Sequence, residues 1–373
     1  MASHRPFALL LTLALTSAAA AAPQEDSSSR EAELPVYTHW RTYGLADGLP
    51  SERVLSVAAR GDEVWAGTEG GLARWTGKRW QALTTADGLV NDVVAALCLC
   101  EETGDLWIGT MGGLARYSGG RFDRFTQLDS GLINDVVYGV ATVGGDVWAA
   151  TASGTSVYHP DEKRWELYNH ENTVMHEPWC YGVTSSPERV YLAVWAAGVI
   201  EHDPLRRTWK AYRDPDGEME IDLVRDDGLV HDVISGVSWD GGVLWASTYF
   251  GVSRYDGRTW RSWLEHESPL PSNFVNFVRA AHGWAWFATD RGLAASDGVS
   301  WVVYRAAEEP PGGTIAIHRA DGSKEELTLE HGLSHNFLYG TAPQPDRVWA
   351  ATARGLALGS RAPLEPTAGL EQR

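Results

Sequence analysis

Cysteine is scarce in this sequence, with three in 373 residues, an odd number that internal disulfides cannot consume. Cys98 and Cys100 stand two apart in an apolar stretch that reads as a strand, so both face one side and cannot readily bridge each other. Together with Cys180, they read as small buried hydrophobes. Clusters of Lys and Arg are also missing. Thirty-one basic residues against 49 acidic ones give a formal charge of −18, which argues against a nucleic-acid or anionic-membrane partner. No stretch approaches the roughly 18 apolar residues that a membrane-spanning helix needs. The local signatures of nucleophile-elbow hydrolases, Walker-type nucleotide binders, dinucleotide folds, HExxH metalloproteases and calcium loops are absent too. Their absence excludes those enzyme classes but not a site assembled from separated segments.

The N-terminus has the form of an export signal, covering residues 1–22. His4 and Arg5 precede the apolar run Phe7 to Leu15, which leads into the small residues Ser17 to Ala22. Residues 23–35 are polar and without periodicity, as expected of a flexible leader, and 361–373 form a tail. The expected location is therefore periplasmic or secreted.

Tryptophan and glycine are abundant, at 18 and 39 residues. Such tryptophan usage points to a recurring structural slot. The segment GDEVWAGTEGGLARW returns in variant form along the chain, with anchor aromatics Trp65, Trp107, Trp148, Tyr191, Trp245, Trp286 and Trp349. These seven units are spaced 42, 41, 43, 54, 41 and 63 residues apart. Each unit holds a turn-like Asp-Gly-Leu, an apolar strand, the Trp-x-Gly/Ala-Thr strand, a Gly-bearing turn, another strand and an outer aromatic. Four short strands per unit with no helical period predict an all-β fold, a seven-bladed β-propeller. Blades are expected near 48–87, 88–130, 131–173, 174–227, 228–268, 269–331 and 332–360. Outer aromatics occur at Trp80, Phe122, Trp165, Trp209, Trp260 and Trp301, so the last unit lacks one. The segment 36–47, with Trp40 and Tyr43, is expected to supply that strand and close the ring without leaving an unpaired edge.

This repeat grammar, Asp-Gly-Leu followed by Trp-x-Gly/Ala-Thr and then Gly-Leu-x-Arg-Tyr/Trp, resembles the two-component regulator propeller repeat over residues 36–360. The resemblance implies a β-propeller of the kind found in periplasmic sensor regions of hybrid histidine kinases.

In a four-stranded blade the turns entering the first and third strands lie on one face, and the residue after Gly-Leu sits near the central hole. Around the ring that position reads Ser51, Asn91, Asn134, His176 or Glu177, His231, Ser272 and His335. His176, His231 and His335 could converge on one divalent transition metal ion. The residues that follow, Asp92, Asp135, Glu177, Asp232, Asn273 and Asn336, could orient the rings. The alternative is that these polar side chains cap their own turns. The second set of turns places Trp195, Tyr249 and Phe250 beside the histidines, and Arg291 and Arg354 on the far side. With Asn91, Asn134 and Glu177, these are the candidate ligand-binding residues. Two insertions, 213–227 and 306–331, should reach the same face, the second as a hairpin turning at Ala320 to Ser323. The function expected is binding of a small molecule or protein partner by a monomer. A His-ligated metal enzyme performing hydrolysis, elimination or oxidation is the alternative, and an assembly or sensor scaffold the third reading.

Overall fold

Short apolar segments separated by glycine turns can bury a face only by pairing with the next segment. In the computed structural model, which describes residues 33–216, 226–307 and 312–364, the repeats pair in this way into seven antiparallel sheets. The innermost strands are Val54–Arg60, Val94–Leu99, Val137–Val143, Cys180–Ser185, Ile234–Asp240, Val275–Ala281 and Leu338–Pro343. Each packs against the innermost strand of the next sheet, and Leu338–Pro343 returns to Val54–Arg60. The result is a closed β-propeller of seven blades. The expected signal segment 1–22, the leader through residue 32, the link 217–225 and the tail from 365 lie outside the described residues.

Closure follows the sequence expectation. His39–Tyr43 forms the outer strand of blade seven, pairing antiparallel with Gly355–Ser360 from His39 opposite Ser360 to Tyr43 opposite Leu356. Trp40 takes the outer aromatic slot opposite Gly359, where a Cβ would come within 2.7 Å of the indole. The incoming chain is also clasped to blade six. The buried Tyr304 hydroxyl donates to the Pro35 carbonyl and accepts from the Tyr37 N–H at 3.0 Å.

The anchor aromatics pack between blades, as the repeat demands. Trp65 lies with Leu89, Val94 and Leu106 of blade two, Trp107 with Leu132, Val137 and Val147 of blade three, and so on to Trp349 with Leu49 and Val54 of blade one. All seven anchors, Tyr191 included, are 8% exposed or less. The Asp-Gly-Leu grammar also has a local cause. Asp47 and Asp87 close one-turn helices by accepting from the Gly44 and Thr84 N–H groups at 2.9 and 2.8 Å. Gly48 and Gly88 then turn the chain at φ of 101° and 107°, the left-handed region that favours glycine.

Blade six departs from the repeat. Its fourth strand, Trp301–Ala307, pairs with Gly312–His318, which pairs with Lys324–Leu329, giving six strands. The hairpin expected to wall the central face instead extends the blade sideways through the ladder.

Candidate functional site

Six of the seven ring positions share one task. Ser51 Oγ, Asn91 Oδ1, Asn134 Oδ1, His231 Nδ1, Ser272 Oγ and His335 Nδ1 each accept the backbone N–H two residues on, at 2.9 to 3.2 Å. That N–H belongs to the residue whose carbonyl receives the tip of the neighbouring turn, as in Glu69 N to Arg53 O or Trp195 N to Trp179 O. Blade four resolves in register: the same offset from its strand puts Glu177 in the slot, with His176 one residue earlier. The turn-capping reading therefore describes the local chemistry of this ring.

His231 and His335 bond back onto their own turns, and the structure does not bring the three imidazoles together. His176 uses both nitrogens: Nδ1 accepts from Arg213 Nη2 at 2.8 Å, so Nε2 donates to the Ala196 carbonyl at 3.0 Å. His231 is buried and stacked on Phe250, with centroids 4.0 Å apart. His335 lines a separate cavity of about 630 Å³ between blades six and seven, with Arg41, His331 and Arg354. Among the described residues no group of three His, Cys, Asp or Glu side chains could hold a metal ion. The residues expected to orient the rings point elsewhere as well. Asp92, Asp135, Asp232, Asn273 and Asn336 accept the N–H of Thr85, Gln127, Asp214, Glu265 and Ala306, tying each inner strand to the chain leaving the previous blade.

The other candidates separate into two groups. Trp195 and Tyr249 meet edge-on at 5.3 Å, and Tyr249 stacks on Phe274 at 4.0 Å and 12°. Phe250 faces His231, Arg291 reaches Glu265 at 3.3 Å, and Arg354 lines the blade six to seven cavity. Asn91 lies against Gly112, and Asn134 Nδ2 donates to Ser153 Oγ at 3.0 Å. Both brace neighbouring turns.

The axis holds what the sequence reading missed. Every innermost strand carries a bulge at one place, between Val54 and Ser56, Val94 and Ala96, Val137 and Gly139, Cys180 and Gly182, Ile234 and Gly236, Val275 and Phe277, and Leu338 and Gly340. A bulge leaves one residue unpaired and re-aims its side chain. The seven skipped residues, Leu55, Ala95, Tyr138, Tyr181, Ser235, Asn276 and Tyr339, all line an axial cavity of about 480 Å³. Tyr138 stacks on Tyr181 at 4.8 Å, Tyr181 meets Trp195 at 5.5 Å, and Phe337 meets Tyr339 at 5.0 Å. Tyr249, Phe274 and Phe337 join the wall, and Met111 and Phe274 are more than a third exposed at the mouth. The findable signal was the recurring Tyr-Gly pair at 138–139, 181–182 and 339–340.

No family model and no curated protein sequence matches this chain. Solved structures do match. The extracellular domain assigned to the hybrid two component system BT3049 of B. thetaiotaomicron superposes with a TM-score of 0.66 at 16% identity, over 88% of this chain and 42% of that one. The corresponding domain of BT4673 from the same organism gives 0.64 at 15% identity, over 86% and 40%. This chain shares their fold. It spans about two fifths of the length of those extracellular domains. Virginiamycin B lyase from Staphylococcus aureus gives 0.59 at 11% identity, over 86% of this chain and 98% of the lyase.

In this propeller the axial cavity has a distinctive chemistry. Burial raises the Tyr249 phenol and pushes that of Tyr181 up to about 12, so both are neutral hydroxyls at physiological pH. Most wall polar groups serve the scaffold: Ser56 donates to Val94 O, Asn276 to Leu338 O and Thr341 to Trp349 O, while Thr184 accepts from Trp239 N–H. Aromatic faces and phenols remain for a ligand. Among the described residues no helix is long and apolar enough to cross a membrane.

Proposed function

We propose that this chain is an exported binding propeller that takes up a small molecule in the aromatic cavity at the mouth of its central channel. The observation that carries the reading is the bulge ring. A backbone device repeated in all seven blades aims tyrosines onto the axis in blades three, four and seven; Tyr249, Phe274 and Phe337 join them in the wall, and Trp195 packs against Tyr181. An open, largely apolar cavity of about 480 Å³ with a few phenols is of the size and composition that small-molecule sites share. Export is supported by the signal-like N-terminus, and the matched domain of the two component system BT3049 is itself extracellular.

A thermal-shift screen of the purified protein against a small-molecule library tests this. Ligands that raise the melting temperature should lose at least half of their shift in a Tyr181→Ala, Tyr249→Ala double variant that is folded by circular dichroism. Hits whose shifts are unchanged in that variant would place binding elsewhere and overturn the reading.

A further inference from the structure

Blade six breaks the pattern of the axis at two further positions. Where the other blades carry Ser56, Ala96, Gly139, Gly182, Gly236 and Gly340 after the bulge, blade six carries Phe277. Two residues on, where the others carry Ala58, Cys98, Ala141, Thr184, Ser238 and Ala342, it carries Arg279. Residues two apart on a strand share a face, so the two large side chains enter the channel together. Both line the upper cavity and also a second cavity of about 380 Å³ below it. They lie where the two cavities meet.

Among the described residues, Arg279 is the one bearing a full charge in the lining of the upper cavity, within a chain of net charge −18. Among the described residues it has neither a hydrogen bond nor an ion pair, whereas Arg53, Arg60 and Arg291 are held by Glu69, Glu63 and Glu265. The lower cavity carries Glu101 and Glu102 on its wall; among the described residues the upper one has no carboxylate. An anion entering from above therefore meets aromatic faces first and an uncompensated guanidinium last. The Arg279 side chain is exposed within the channel and lacks a counter-ion, so it is accessible to an anionic partner, and its planar fork suits a carboxylate or sulfonate.

We infer that the ligand of this cavity is a planar organic anion, its ring system stacked among Tyr138, Tyr181, Tyr249 and Phe274 and its acid group on Arg279. This rests on the binding site proposed above and specifies its chemistry.

Two fluorescent probes that differ by the acid group separate the claims: anilinonaphthalene sulfonate and the uncharged phenylnaphthylamine. With the full-length mature protein, the anion should bind at least about tenfold more tightly than the neutral probe. Arg279→Ala should weaken the anion about ten- to a hundredfold and leave the neutral probe within about twofold, with Arg279→Lys intermediate. Tyr249→Ala should weaken both. Equal affinities in the wild-type protein, or an Arg279→Ala variant that binds the anion unchanged, would overturn the anion assignment while leaving the cavity intact. Binding of neither probe, or binding of both that Tyr249→Ala does not touch, would overturn the aromatic cavity itself. Small residues at the matching position of six other blades mean that Arg279→Ala should fold, which its melting curve checks.

Discussion

The blade interfaces and the bulge ring are both sevenfold, yet they treat the repeat in opposite ways. The interface slot holds Trp65, Trp107, Trp148, Tyr191, Trp245, Trp286 and Trp349, one chemistry used seven times. The bulge slot holds Leu55, Ala95, Tyr138, Tyr181, Ser235, Asn276 and Tyr339, five residue types in seven blades. A slot that closes a core is constrained by volume and burial, so each blade needs the same answer. A slot that faces a cavity is free of that constraint. Divergence within an otherwise uniform ring therefore marks the surface available for binding, and the tyrosines, phenylalanines and Arg279 all lie there.

The sharpest way to break this contrast is one aromatic truncation in each ring. Trp286→Ala removes a ring that is 2% exposed and packed between Tyr37 and Tyr304, and should cost about 3–5 kcal/mol in chemical denaturation. Tyr138→Ala, half-buried and facing the cavity, should cost about 1 kcal/mol or less. Equal penalties would mean that the bulge ring is core.

The interface ring was legible because its signal is local: an aromatic between an apolar strand and Gly/Ala-Thr, returning at near-even intervals. Closure by 36–43 was legible from the same bookkeeping, since one outer aromatic was missing and Trp40 was spare. The axial site was not. Its wall depends on side-chain direction, and a bulge reverses the alternation on which a strand reading relies. Counting from Gly-Leu led to the turn caps Asn134, His231 and His335, which bond their own backbones. The bulged tyrosines four residues later were passed over. His202 occupies the blade-four equivalent of Trp75, Tyr117, Tyr158 and Tyr255, stacked on Trp209 at 4.1 Å, so an imidazole there does the packing work of an aromatic ring.

A smaller effect tests whether unlike residues in the turn ring do the same work. Asn134→Ala and His335→Ala each remove an acceptor from a backbone N–H, and each should cost about 0.5–1.5 kcal/mol in thermal unfolding. Elemental analysis of the same samples should show no stoichiometric transition metal in either variant or in the wild-type protein. Metal that is present in the wild type and lost in His335→Ala would instead set the histidines apart from the asparagines and restore a metal centre.

The smallest effect concerns the neighbouring ring of Asp92, Asp135, Asp232, Asn273 and Asn336, in which acid and amide perform one task. Asp232 accepts from Asp214 N–H at 2.8 Å, much as Asn273 accepts from Glu265 N–H at 2.7 Å. Burial raises the Asp232 carboxyl above the usual carboxylate range, against the lowering pull of that hydrogen bond, Arg213 and His176. A carboxyl whose folded pKa lies above its unfolded one binds its proton more tightly in the native state, so its contribution is full below the unfolded value and is lost as pH rises through the folded one. At neutral pH the ionised group is therefore a mild liability in blade five, and the amides of blades six and seven show the remedy already in place. Asp232→Asn keeps the acceptor oxygen and should stabilise the protein by less than about 1 kcal/mol at pH 7, with the gain vanishing as pH falls below about 4. Urea denaturation of both proteins across that range checks the sign. A variant less stable at pH 7 than at pH 4, relative to wild type, would mean that Arg213 and His176 outweigh burial, and would set the acid of blade five apart from the amides of its neighbours.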